Sequence, residues 1–175
     1  MLSSDASSTW GMAGVLLFPE SCKQREFHGL FWQIHWELWA QRYPMVDLKP
    51  GDIQINVAEF LAALITCETF AEYCRGKITT IKIDNMSAKA WLDSARCPRY
   101  PFDRCAQGVH LYMVQNAIKV KSTWIPSGDN SFADICSRKL FQGKPAVSTI
   151  AGKNLMNVKA RWKHVTRFIV NKTLI

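Results

Sequence analysis

The 175-residue chain is 48% hydrophobic, carries 7 Trp and has a formal net charge of +8. That apolar content supplies the core of one domain and argues against a disordered chain. No apolar run reaches the roughly 18 residues of a membrane span, and MLSSDASS lacks the basic and apolar regions of a secretory signal.

Trp10 to Phe18, WGMAGVLLF, is short and apolar and reads as a buried strand. The aromatic run from Glu26 to Trp39 reads as another, and Pro44, Pro50 and Gly51 mark a loop. Asn56-Val57-Ala58-Glu59 has capping-box spacing and opens a helix reaching about Cys74. ITTIKI, Ile78 to Ile83, is β-branched and reads as a central strand ending at Asp84-Asn85. Helices follow at Ser87 to Ser94 and Arg104 to Ile118, then a strand at Val120 to Ile125. A turn at Pro126 to Asp129, a cap at Asn130 and a helix from Ser131 to about Phe141 close the body. With a strand leading into Asp5, the order is β-β-β-α-β-α-α-β-α. It predicts an α/β fold with a mixed five-stranded sheet flanked by helices.

Residues 1–142 are read as the domain and 143–175 as a basic extension. The extension holds Lys144, Lys153, Lys159, Arg161, Lys163, Arg167 and Lys172 and no acid, leaving about +1 to the rest. Leu155, Val158, Trp162, Val165 and Phe168-Ile169 recur at helical spacing and predict an amphipathic helix from Asn154 to Ile169. Its charge suits a polyanion, nucleic acid first, and equally a solvated helix face.

Six Cys, at 22, 67, 74, 97, 105 and 136, include no C-x-x-C pair. Cys67 and Cys74 read as two buried thiols rather than zinc ligands. Reduced thiols in an intracellular setting, cytoplasm or nucleus, are the expectation.

Four acids fall at element ends. Asp5 precedes the first hairpin, Glu59 opens the long helix, Asp84 ends the central strand, and Asp134 sits in the first turn of the last helix of the body. Singly each has an ordinary reading as a cap, a turn residue or a helix-dipole partner. Gathered together they would repel strongly and require cations between them. A set of hard oxygen ligands suits magnesium or manganese. Two such ions about 3.5–4 Å apart drive in-line displacement at phosphorus.

The segments SDASSTWGMAGV, INVAEFLAAL, IKIDNMSAKAWL and WIPSGDNSFADICSR, carrying Asp5, Glu59, Asp84 and Asp134, resemble the ribonuclease H domains of retroelement reverse transcriptases. The last is most similar to DIRS-like and related elements. The resemblance implies a ribonuclease H-like fold and cleavage of the RNA strand of an RNA–DNA hybrid. It implies two magnesium ions on the four acids, with manganese as a substitute, and no small-molecule cofactor. Hybrid recognition through 2′-hydroxyls and groove shape is implied as well, as is a polymerase domain upstream in the same polyprotein. Candidate nucleic-acid contacts are Asn85, Asn130 and Arg138 beside the acids and Lys159, Arg161 and Lys163 in the tail. Asn85 has an alternative reading as a helix cap, and Trp32, Trp36 and Trp39 one as core instead of a stacking surface.

Two departures stand out. The turn before Asp134 lacks the His that many members carry, with Trp124 where related elements often place one, and only Met1 to Ser4 precede Asp5. A non-catalytic binding module on the same fold is therefore a competing reading. Another nuclease or strand-transferase is a third, although those families usually order their acids Asp, Asp, Glu.

Overall fold

A computed structural model describes residues 1–22, 26–42, 54–141 and 147–170. It is an α/β structure built on one seven-stranded mixed sheet. Strands β1 (Leu2–Ala6), β2 (Gly11–Leu17) and β3 (Gly29–His35) form an antiparallel meander. Strand β4 (Ile78–Ile83) joins β1 in parallel, and β5 (Lys119–Trp124) joins β4 in parallel. Beyond β3 lie β7 (Lys153–Asn157), parallel to it, and β6 (Val147–Ile150), antiparallel to β7. The spatial order is β5-β4-β1-β2-β3-β7-β6.

The helices are α1 (Trp36–Arg42), α2 (Ile55–Thr69), α3 (Ala71–Cys74), α4 (Met86–Ser94), α5 (Phe102–Gln115), α6 (Ser131–Arg138) and α7 (Lys163–Val170). Each face of the central strands has its own core. Leu2, Met12, Leu16, Leu30, Trp32 and Ile34 pack with α2, whereas Ala13, Val15 and Phe31 pack with Ala133 and Cys136 of α6. The period-two alternation of a strand delivers both sets, and burial on both faces explains why β2 reads as a continuous apolar run. Helix α2 is apolar almost all round and buried from Val57 to Thr69, as a helix inside the core must be. Gly14 of β2 packs against Thr66 of α2. A Cβ there would collide with the Thr66 hydroxyl and the Trp32 indole.

Several expectations are corrected. Among the described residues the sheet has seven strands, not five, and the order is correspondingly longer. The run from Glu26 to Trp39 splits into β3 and α1. Trp36 and Trp39, one helical turn apart, are both fully buried, and the Trp36 indole donates to the Ser7 carbonyl at 2.6 Å. Trp32 is fully buried as well, so none of the three offers a stacking surface.

The helix expected from Asn154 to Ile169 is a strand over Lys153–Asn157 and a helix only over Lys163–Val170. Leu155 faces the α6-side core and Val165 the α2-side core, so one helix face could not serve both. The extension read as a separate basic helix thus adds two strands to the sheet. The loop expected at Pro44, Pro50 and Gly51 lies outside the described residues, as do Lys144 and Lys172. Cys67 and Cys74 are buried free thiols, as read. No helix among the described residues is long and apolar enough to cross a membrane.

Candidate metal centre

Strands β1 and β4 run parallel, so their C-terminal ends lie side by side and bring Asp5 next to Asp84. Alternation along β1 sends Leu2 and Ala6 to the α2-side core and turns Asp5 toward α6. There the Ser137 hydroxyl donates to Asp5 Oδ2. Glu59 comes from the second turn of α2, and its Oε1 accepts from the Ala6 backbone N–H at 3.1 Å.

Asp5, Glu59 and Asp84 each offer a carboxylate oxygen, and these oxygens all lie within 4.8 Å of one another. Asp5 and Glu59 are 2% and 5% exposed. Asp84 is half-buried at the mouth of a cleft of about 320 Å³, which Asp134 and Arg138 also line.

The electrostatics follow from that packing. Burial pushes the Glu59 carboxyl up to about 9, and the charges of Asp5 and Asp84 push in the same direction. Burial likewise raises Asp5, to about 7. The Ser137 hydrogen bond opposes that rise, whereas Asp84 and Asp134 add to it. Glu59 Oε2 is buried without a hydrogen-bond partner. A buried carboxylate with an unpartnered oxygen, standing among like charges, is costly unless a cation meets it. The three oxygens fit a hard divalent ion such as magnesium or manganese.

Asp134 lies on the same cleft but outside this mutual set. Its Oδ1 accepts from Arg138 Nε at 2.5 Å, one helical turn along α6. The structure thus brings three of the four expected acids together and leaves the fourth ion-paired at the rim.

The remaining candidates divide. Asn85 caps α4, its Oδ1 accepting from Ala88 N at 2.9 Å, while its amide donates to Asn56 Oδ1 at 2.8 Å. It also lines the cleft. The capping box expected at Asn56 and Glu59 is absent. Helix α2 begins at Ile55 with Gln54 as its cap residue, and Glu59 is drawn to the strand end instead.

Asn130 is 2% exposed, and its amide donates to the Ser4 carbonyl at 2.9 Å, which removes it as a nucleic-acid contact. It stands at the cap position of α6 but makes no side-chain cap bond. Lys159, Arg161 and Lys163 are exposed beyond the far end of α2. Arg161 pairs with Glu72 at 2.8 Å, and its backbone N–H donates to Thr69 Oγ1 at 2.9 Å. Thr69 lies ten positions along α2 from Glu59, about 15 Å, so this basic group does not adjoin the acids.

Sequence reading missed three supporting groups: Ser137, the Ala6 backbone N–H, and Trp124, whose indole donates to the Asp84 carbonyl at 3.1 Å. Ser137 did carry a signal, lying one helical turn after Asp134.

Compared with known proteins, the chain matches no family model, no curated protein and no solved structure.

Proposed function

We propose that the chain is a ribonuclease H-like, metal-dependent endonuclease that cleaves the RNA strand of RNA–DNA hybrids. The observation that carries this reading is the buried Asp5–Glu59–Asp84 cluster with its unpartnered Glu59 oxygen at the joined ends of two parallel strands. Support for the fold comes from β1 to β5, a meander followed by two parallel strands, with acids at the ends of β1 and β4, to which β6 and β7 are an addition. The four sequence segments that resemble retroelement ribonuclease H domains support a reverse-transcriptase setting, with a polymerase domain as the polyprotein partner and an intracellular location.

Asp5, Glu59 and Asp84 would hold one ion, and Asp134 is the carboxylate available to a second. Divalent ions bound there supply a water of lowered pKa and neutralise charge on the leaving oxygen. The chain's own residues set the stage. Ala6 N–H and Ser137 fix the orientation of two carboxylates, and the Trp124 indole holds the Asp84 backbone. Asn85 lines the cleft beside Asp84, within reach of a sugar or phosphate lying on it.

The test is a labelled RNA–DNA hybrid incubated with the purified chain and magnesium or manganese. Cleavage of the RNA strand, lost by more than about a hundredfold in Asp84→Asn with an unchanged circular dichroism spectrum, is the expected result. Failure to cut any hybrid in either metal overturns the reading. The Asp134–Arg138 pair favours one competitor, a binding module that has given up the second ion. Hybrid binding without cleavage, unchanged by Asp84→Asn, would identify it. Cleavage of a DNA duplex in place of the hybrid would point to a different nuclease on this fold.

A further inference from the structure

We infer that Arg138 is a positioning residue, a resident counter-cation that holds Asp134 out of the metal set, so that a second divalent ion enters only in competition with the guanidinium. This rests on the metal-site reading above and deepens it.

The cleft is lined by Asp5, Glu59, Asp84 and Asp134, and among its described lining residues Arg138 alone carries a positive charge. Its Nε bonds Asp134 Oδ1 at 2.5 Å. An exposed pair at i,i+4 spacing is ordinarily a minor stabiliser of a helix surface. Two observations take this pair further. Arg138 lines the same cleft as the two buried carboxylates, Asp5 and Glu59, on each of which its charge is the smallest of the influences. And Asp134 is the one acid of the cleft left outside the 4.8 Å cluster. An ion placed at Asp134 would face a guanidinium at contact distance, and two cations so close repel. The planar fork of Arg138 also matches a phosphodiester, so an incoming backbone phosphate is the anion able to draw it away from Asp134.

The experiment counts bound Mn²⁺ on the purified chain by the electron paramagnetic resonance of the free ion, with no turnover required. Wild type is expected to show one tight site and a weak second. Arg138→Gln should tighten the second about tenfold and the first by a smaller factor. Arg138→Lys, which keeps the charge, should stay near wild type. In an Asp134→Asn background the gain from Arg138→Gln should vanish.

Equal stoichiometry and affinities in wild type and Arg138→Gln overturn the inference while leaving the metal-site reading intact. An equal gain in the Asp134→Asn background also overturns it, since the guanidinium would then act only as a distant charge. A wild-type chain that binds no Mn²⁺ overturns both.

Discussion

Asn130, at the start of α6, donates its side-chain amide to the carbonyl of Ser4, 126 residues earlier and next to Asp5 in β1. This bond fastens the helix bearing Asp134 and Ser137 to the strand bearing Asp5. Replacing Asn130 by Ala removes the donor and strands a buried carbonyl. Unfolding in denaturant should show a loss of about 1–3 kcal/mol. The Mn²⁺ affinity of the cluster should weaken along with it.

The metal-free chain should become less stable as pH rises. Burial lifts Glu59 from 4.5 to about 9 and Asp5 from 3.8 to about 7 in the folded state. Between each pair of values the folded state holds the proton that the unfolded chain has released. Stability is therefore fully present below about pH 4 and is lost as pH climbs through about 7 and then about 9. Saturating magnesium should reverse the trend over that window, because the ion binds the deprotonated carboxylates. Thermal melts across the range, with and without magnesium, check both signs. Parallel pH curves under the two conditions would count against a metal at this site.

Trp124→Phe keeps an aromatic ring on β5 but deletes the N–H that holds the Asp84 carbonyl. Trp124 is 46% exposed, so the stability change should stay below about 1 kcal/mol. Mn²⁺ affinity should nevertheless fall severalfold as the Asp84 bend loosens. Calorimetric titration of the two proteins decides it, and an unchanged affinity would remove Trp124 from the site.

Glu68, near the C-terminal end of α2, is 3% exposed and receives the backbone N–H groups of His164 at 2.9 Å and Val165 at 3.1 Å. It therefore caps α7, and the His164 ring stacks on Tyr112 with centroids 4.1 Å apart. Glu68→Ala should cost about 1–3 kcal/mol and accelerate amide exchange at Val165. Glu68 lies nine positions along α2 from Glu59, about 14 Å, so metal affinity should be untouched.

Gly14→Ala places a methyl against Thr66 and Trp32 at the contact of β2 with α2. A loss of about 2–3 kcal/mol is expected in thermal or denaturant unfolding. Because Thr66 lies two turns along α2 from Glu59, any shift of the helix should also register as weaker Mn²⁺ binding.

The sequence alone determined the elements whose signals are local. The β-branched ITTIKI makes β4, Asn85 caps α4, and the apolar run after Glu59 makes a buried helix. It also determined the presence of four acids at element ends. Hydrophobic periodicity misled where one segment feeds two cores. Leu155 and Val165 share a helical spacing yet pack on opposite faces of the sheet, and Trp36 and Trp39 follow a strand without a break in polarity.

What only the tertiary structure decided was which groups answer one another. Ser137 reaches Asp5 across 132 residues, Glu59 turns to Ala6 instead of Asn56, and Asn130 turns inward to Ser4. A polar side chain takes the partner that burial and strand order bring within reach, and residue spacing along the chain carries little of that information. The fourth acid is the clearest case. Its helix, its place in the order and its i,i+4 spacing to Arg138 were legible from sequence, but its exclusion from the set formed by the other three was not.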